Sequence, residues 1–355
     1  MTHFLKDIFR QPTELQCTLD FLLGEGQPAL DAAVAAIREA RHVYLTGIGS
    51  SWHAALNASI FLYAGAHPAY LQDAAELLQY AAFPAGSVVI IISRSGRSIE
   101  IVQLAEKARK AGAAIIAITN VAESPLAKLA QIPIVISSAL DHAISVVTYT
   151  TLAAAAGILA ANVTGKFDAQ VASPLSQSFA EAGHAVPSWQ QQIANSTWLS
   201  PGATTYFLAR GSSLGSAHEA RLMWEEGVKL PATAMGSGSF RHGPQEMIAK
   251  GYRFALWIDS NQQREKDLAL ARDLRKLGTS VMLIGQNLPP DVADLVFQLP
   301  PIPSEWQFLI DIIPAQLVAD KLAALSGVDC DTFRLCSFVV EDDGGLLGKP
   351  ASTKH

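Results

Sequence analysis

Three hydroxyls and two cations crowd into one short turn, Ser93-Arg94-Ser95-Gly96-Arg97-Ser98. The apolar run Val88-Val89-Ile90-Ile91-Ile92 precedes it, and Ile99-Glu100-Ile101-Val102-Gln103-Leu104-Ala105 follows with helical spacing. A buried strand feeding such a turn aims free backbone N–H groups and the positive end of a helix dipole at one point. That point suits a phosphate. Ser93, Arg94, Ser95, Gly96 and Ser98 are therefore candidate anion-binding residues. An ordinary helix cap would need one serine, not three flanked by arginines. Whether Arg94 and Arg97 face solvent or add charge to the site is left open by spacing alone.

A second turn, Gly47-Ile48-Gly49-Ser50-Ser51, ends another apolar run. It begins like a dinucleotide fingerprint, but Trp52 stands where a third glycine would be needed. Gly49, Ser50 and Ser51 read better as a ligand-facing turn whose hydroxyls meet a sugar or its phosphate. Further on, Glu226 sits on a helix pattern starting near Leu214, with Ala217, Ala220, Leu222 and Met223 as its apolar partners. His242 lies in a Gly/Ser-rich loop before Gly243-Pro244. A carboxylate and an imidazole could form an acid/base pair. A solvated carboxylate and a surface histidine are the plain alternatives.

The elements that must position these residues are written twice. His42-Val43-Tyr44-Leu45-Thr46 leads to Gly49-Ser50-Ser51, and Thr205-Tyr206-Phe207-Leu208-Ala209 leads to Gly211-Ser212-Ser213. Lys110-Ala111-Gly112 and Lys276-Leu277-Gly278 each precede a further apolar strand at a similar offset. Strands alternate with helices in both halves. This predicts two tandem flavodoxin-like α/β/α sandwiches with parallel sheets. The expected division is a helical extension at 1–29, with its helix after Pro12, a first domain at 30–165, a second at 185–330, and a tail at 331–355. A linker is expected within 171–187, and a loose end from Glu341. In the second half, Asp259-Ser260-Asn261-Gln262 stands in place of the serine loop. An aspartate there repels phosphate, so one anion site per chain is expected.

Composition bounds the rest. With 355 residues, 50% hydrophobic and 16% charged, the chain supports a large core. Its net charge of -6 and lack of a basic block argue against nucleic acid. Cys17, Cys330 and Cys336 form no framework, which suits a reduced, cytoplasmic setting. The N-terminus lacks an apolar signal core, and the Ala-rich run at 150–161 reads as a buried helix too short to span a bilayer. His53, His142 and His218 are scattered, so no metal site is expected.

Taken in order, Gly49-Ser50-Ser51, the serine loop, the stretch from Ser145 to Thr151, Glu219 through Glu226, and His242-Gly243-Pro244 resemble the double sugar-isomerase (SIS) family. That family includes the isomerase half of glucosamine-6-phosphate synthase and related phosphosugar isomerases, deaminases and deglycases. The resemblance extends from Lys6-Asp7-Ile8 across nearly the whole chain. It implies that Ser93, Ser95 and Ser98 grip a sugar phosphate and that Ser51 and Ser145 touch the ligand. It further implies that Glu226 moves a proton at carbon 1 or 2, and that His242 serves ring opening from the second subunit of a homodimer. No cofactor is implied. Three departures stand out. Met223 replaces a lysine of the synthase, Arg334-Leu335-Cys336-Ser337-Phe338 replaces the segment holding another, and Arg94 and Arg97 replace Gln and Glu. About thirty residues before the first domain cannot house a glutaminase. The expectation is a phosphosugar enzyme that cleaves a carbon–nitrogen bond, with aldose–ketose isomerisation as the alternative. A phosphosugar-binding regulator is the reading from another class.

Overall fold

The structure, a computed structural model, describes residues 1–342. Its first parallel sheet holds β1 (His42–Thr46), β2 (Tyr70–Leu71), β3 (Ser87–Ser93), β4 (Ala114–Thr119) and β5 (Ile132–Val135), ordered β2-β1-β3-β4-β5. The second holds β6 (Thr205–Ala209), β7 (Ala232–Gly236), β8 (Arg253–Ile258), β9 (Ser280–Gly285) and β10 (Leu295–Gln298), ordered β7-β6-β8-β9-β10. Each half therefore repeats the flavodoxin-like order, as the doubled sequence requires. The duplication reaches single glycines. Gly49 and Gly211 both take left-handed φ (56° and 55°), and so do Gly112 and Gly278 (76° and 81°).

Strand composition explains the layering. Every residue of β3 is buried, so its two faces both need cover. Val88, Ile90 and Ile92 point into a core shared by both halves, while Val89 and Ile91 enter a separate outer core. In β8, Ala255 and Trp257 join the shared core and Phe254, Leu256 and Ile258 form the outer core of the second half. Filling the shared core are helices Ser50–Ala64 and Val147–Val163, the latter buried along almost its whole length. The Ala-rich run is thus an interior helix. Among the described residues no helix is long and apolar enough to cross a membrane.

Two expectations need correction. Residues 171–187 are not a linker but part of one helix, Ala169–Ala194, which contains Pro174 and Pro187. Leu175, Phe179, Ala182, Val186, Trp189 and Ile193 keep a helical stripe that is buried, and this packing outweighs two prolines. The N-terminal helix, His3–Leu23, does not wait for Pro12 but runs through it. Gln11 Nε2 donates to the Ile8 carbonyl (3.3 Å), the acceptor that Pro12 leaves without its usual amide. Within the expected tail, the Phe338 carbonyl accepts from Arg94 and the Val340 carbonyl from Ile99, both of the first domain. The loose end expected from Glu341 falls, from residue 343 on, outside the described residues.

Candidate active site

In this strand order the chain leaves β1 and β3 in opposite directions, which opens a crevice at their carboxyl ends. Both candidate turns end there, because β1 and β3 are hydrogen-bonded neighbours. A cleft of about 270 Å³ occupies the crevice. Gly49, Ser50 and Ser51 line it from one turn, and Ser93, Arg94, Ser95 and Ser98 from the other. Gly47 is tied to its place, since a Cβ there would lie 2.5 Å from the Ser51 backbone.

The serine loop is held from within. Ser93 Oγ accepts the Gly96 N–H (3.1 Å) and Ser95 Oγ accepts the Arg97 N–H (3.2 Å). Gly96 takes φ +60°, and a Cβ there would meet Ser124 Oγ at 2.3 Å, so only glycine fits. Gly96 thus shapes the loop without itself lining the cleft. Ser98 occupies the N-cap of helix Ile99–Lys110, yet its hydroxyl makes no capping bond and lines the cleft instead. The helix N-terminus therefore faces the cleft with hydroxyls beside it. Arg94 and Arg97 part company. Arg97 is exposed, whereas Arg94 lines the cleft and donates to the carbonyls of Ala143 (3.3 Å) and Phe338 (2.8 Å). Ser145 joins the lining just before the interior helix, its hydroxyl 2.9 Å from Thr148 Oγ1.

Glu226 arrives from the second half. Helix Leu214–Met223 widens into a π turn, Trp224–Val228, and ends in left-handed Lys229. Such a turn inserts a residue and re-aims the side chains after it. Glu226 lines the cleft, half-buried. Burial first and the neighbouring Glu219 second push its carboxyl up to about 7, against the pull of Arg94 and Lys229. A carboxylate poised there can take and return a proton near neutral pH. Of its expected apolar partners, Met223 is core, but Leu222 is cleft wall. His242 is exposed and does not line the cleft of its own chain.

Several lining residues escaped the sequence. Glu100 lies in the first turn of the helix after the serine loop. The tail supplies Phe333, Cys336, Ser337, Phe338, Val339 and Val340. The Phe338 ring lies 3.9 Å from the Arg94 guanidinium carbon, and the Val340 carbonyl accepts the Ile99 N–H (3.0 Å). Behind the wall, His53 and His218 are not scattered: their rings stack at 5.8 Å, and His53 Nδ1 lies 2.6 Å from Glu219 Oε2. The motif from Glu219 to Glu226 contained the signal for Glu219. Nothing local marks His53 as its partner. Among the described residues no group of three or more His, Cys, Asp and Glu is arranged to hold a metal.

Known proteins resemble this chain in sequence and in fold. The SIS domain profile matches residues 36–160. The isomerizing glutamine–fructose-6-phosphate aminotransferase of Pyrococcus horikoshii is 25% identical over 340 residues, which cover 93% of this chain and 56% of that protein. The chain thus spans little more than half the length of such relatives. In fold it matches the C-terminal domain of glucosamine-fructose-6-phosphate aminotransferase from Francisella tularensis, with a TM-score of 0.82 at 21% identity over 94% of this chain and 98% of that one. Glucosamine-6-phosphate deaminase from Thermotoga maritima gives 0.79 at 20% identity, over 96% and 99%. Tagatose-6-phosphate ketose/aldose isomerase from Escherichia coli gives 0.80 at 20% identity, over 93% and 95%. Residues 36–160 match a SIS domain, the chain is homologous to part of the isomerizing glutamine–fructose-6-phosphate aminotransferases, and it shares its fold with solved phosphosugar isomerases.

Proposed function

We propose that this chain is an enzyme that breaks the carbon–nitrogen bond of an amino-sugar or sugar-amine 6-phosphate. The serine loop holds the phosphate. Glu226 then takes the proton from the carbon next to the open-chain carbonyl and returns it to the neighbouring carbon. The nitrogen-bearing carbon becomes an imine of the sugar itself. Water adds to it, the carbon–nitrogen bond breaks, and the amine leaves. One observation supports cleavage without an enzyme-bound imine: the cleft joins the serine loop to Glu226, and none of the described residues lining it is a lysine. Met223, where the synthase has one lysine, is 1% exposed. Lys229, the nearest amine to Glu226 in sequence, donates to the Glu226 and Thr332 backbone carbonyls, the latter at 2.9 Å. That chemistry uses no glutamine.

The reading extends to a homodimer in which His242 of one protomer serves ring opening in its partner's cleft. Its exposure, on a loop fixed by Gly243 at φ +123°, suits that role. Mixing Glu226→Gln and His242→Ala chains then restores activity that neither has alone.

The deciding test incubates the protein with glucosamine 6-phosphate, fructosamine 6-phosphates and plain 6-phosphosugars in deuterated water, followed by NMR. Deuterium entry at carbon 1 or 2 together with amine release supports cleavage, and Glu226→Gln then loses about 10²–10⁴ in rate. Exchange without amine release means isomerisation, and binding without either means a sensor.

A further inference from the structure

We propose that His53 holds Glu219 as a neutral acid behind the cleft, so that Ser50 turns its hydroxyl hydrogen inward and offers lone pairs to the bound sugar. Glu219 and His53 are then positioning residues for the reaction proposed above.

The geometry carries this. Glu219 is fully buried and His53 is 3% exposed. One Glu219 oxygen, Oε1, accepts from Ser50 Oγ (2.9 Å), and the other meets His53 Nδ1 at 2.6 Å. Ser50 also lines the cleft. A close helix crossing sets up the contact: a Cβ on Gly215 would fall 1.9 Å from Asn57 Oδ1 and 2.4 Å from the His53 carbonyl. Glu219 sits one helical turn beyond Gly215, against Ser50 and His53.

Nearby cations are engaged elsewhere. Arg221 pairs with Glu225, and Arg94 with the tail. A buried carboxylate with two hydrogen bonds and no committed cation keeps its proton. If that proton sits on Oε2 it is donated to Nδ1, leaving Oε1 as a bare acceptor for Ser50. Without His53 the proton could move to Oε1 and turn Ser50 round.

The charged surroundings agree. Burial pushes Glu219 up to about 8, opposed by Ser50, Arg221 and Arg94. Burial and Arg221 hold His53 down to about 3, against Glu225 and Asp73. Stacked His218 is likewise held down, to about 4. Tyr149 and Glu226 are the remaining titratable neighbours, and each feels Glu219. An ionised Glu219 has no proton to donate to a bare His53 Nδ1, so the contact that fixes Ser50 is lost. Activity should therefore fall as Glu219 ionises above about pH 8.

Two measurements test the idea. ¹⁵N NMR of the wild-type protein should show His53 neutral at pH 7 with a bare Nδ1 acceptor. This readout needs no turnover, so it stands apart from the proposed reaction. An imidazolium at pH 7 overturns the proposal. The second is the pH profile of deuterium exchange into glucosamine 6-phosphate. Glu219→Gln copies the neutral acid: its carbonyl accepts from Ser50 and its amide donates to Nδ1. The variant should lose the alkaline fall in activity. Persistence of that fall overturns the proposal.

Discussion

At the carboxyl ends of β1 and β3 the chain leaves serines. At the corresponding ends of β6 and β8 Arg210 and Asp259 come first, ahead of Ser212, Ser213 and Ser260. The backbones there are near copies, down to the left-handed glycines 49 and 211. The side chains do opposite things. Asp259 Oδ1 accepts the N–H groups of Asn261 (2.7 Å) and Gln262 (2.9 Å), the donors that an anion would otherwise use. Arg210 Nε binds both oxygens of buried Asp267 (3.0 and 2.9 Å). Ser213 donates to Asp311 (2.6 Å). The second crevice thus satisfies itself, while the first turns Ser98 and its helix N-terminus toward a cleft. A shared fold supplies two crevices, and side chains decide which one is left open with unspent donors.

The strongest way to break this comparison is to treat the two crevices alike. Gly96→Ala puts a Cβ 2.3 Å from Ser124 Oγ at a φ of +60°. Overpacking and strain of about 1–3 kcal/mol should distort the loop and cut affinity for glucosamine 6-phosphate by roughly 10–100-fold. Gly211→Ala meets nothing within 4 Å. It should cost about 1–2 kcal/mol of stability through φ alone and leave affinity intact. Calorimetric titration and thermal melts read both. Equal affinity losses would mean that the second crevice also matters to the ligand.

Carrying the aspartate across sharpens the same point. Ser95→Asp gives the first loop a carboxylate facing the bound phosphate, and affinity should fall about tenfold or more. Asp259→Ser weakens the cap over Asn261 and Gln262, costing about 1 kcal/mol of stability without creating a phosphate site. Phosphate binding gained by that variant would show that Asp259 alone closes the second crevice.

Arg94 is the first crevice's own cation. It lines the cleft, and its present partners are the Ala143 and Phe338 carbonyls and the Phe338 ring. A carboxylate on the amine of a sugar phosphate would be a better partner for it. Arg94→Gln should weaken a carboxylate-bearing fructosamine 6-phosphate by roughly tenfold relative to a plain 6-phosphosugar. A ratio of the two affinities that Arg94→Gln leaves unchanged from the wild type would end that idea.

Much of this site was visible in the chain itself. Strand, serine turn and helix are consecutive, so local pattern placed the serine loop, and the repeat revealed the second sheet. What stayed hidden depends on distance along the chain. His53 and Glu219 are 166 residues apart and meet only because Gly215 lets two helices touch. The tail has neither helical nor strand period, so nothing in it announced that Phe338 would lie on Arg94. Two prolines disguised helix Ala169–Ala194, whose buried stripe was the better guide.

The smallest expected effect concerns acidity at the backs of the two crevices. Burial raises Glu219 to about 8 at the first and Asp311 to about 7 at the second. Glu226 and Asp141 are raised likewise, to about 7 and about 6. Unfolded, all four ionise near pH 4. The folded chain therefore holds protons that the unfolded chain has lost, and this stabilisation is complete below pH 4 and disappears as pH climbs through 6 to 8. His53 and His218 are lowered, so their contribution is complete above about 6.5 and is lost only toward acid. Above pH 6.5 the carboxyl groups alone set the slope, and stability should fall by about 1 kcal/mol per pH unit for each group still protonated. Glu219→Gln should flatten the fall between pH 7 and about 8, and Asp311→Asn the fall below about 7. Urea titrations across this range separate the two. A curve that rises with pH would mean that these carboxyl groups are ionised in the folded chain. The neutral pair behind the first crevice would then be an ion pair, as Arg210 and Asp267 are beside the second.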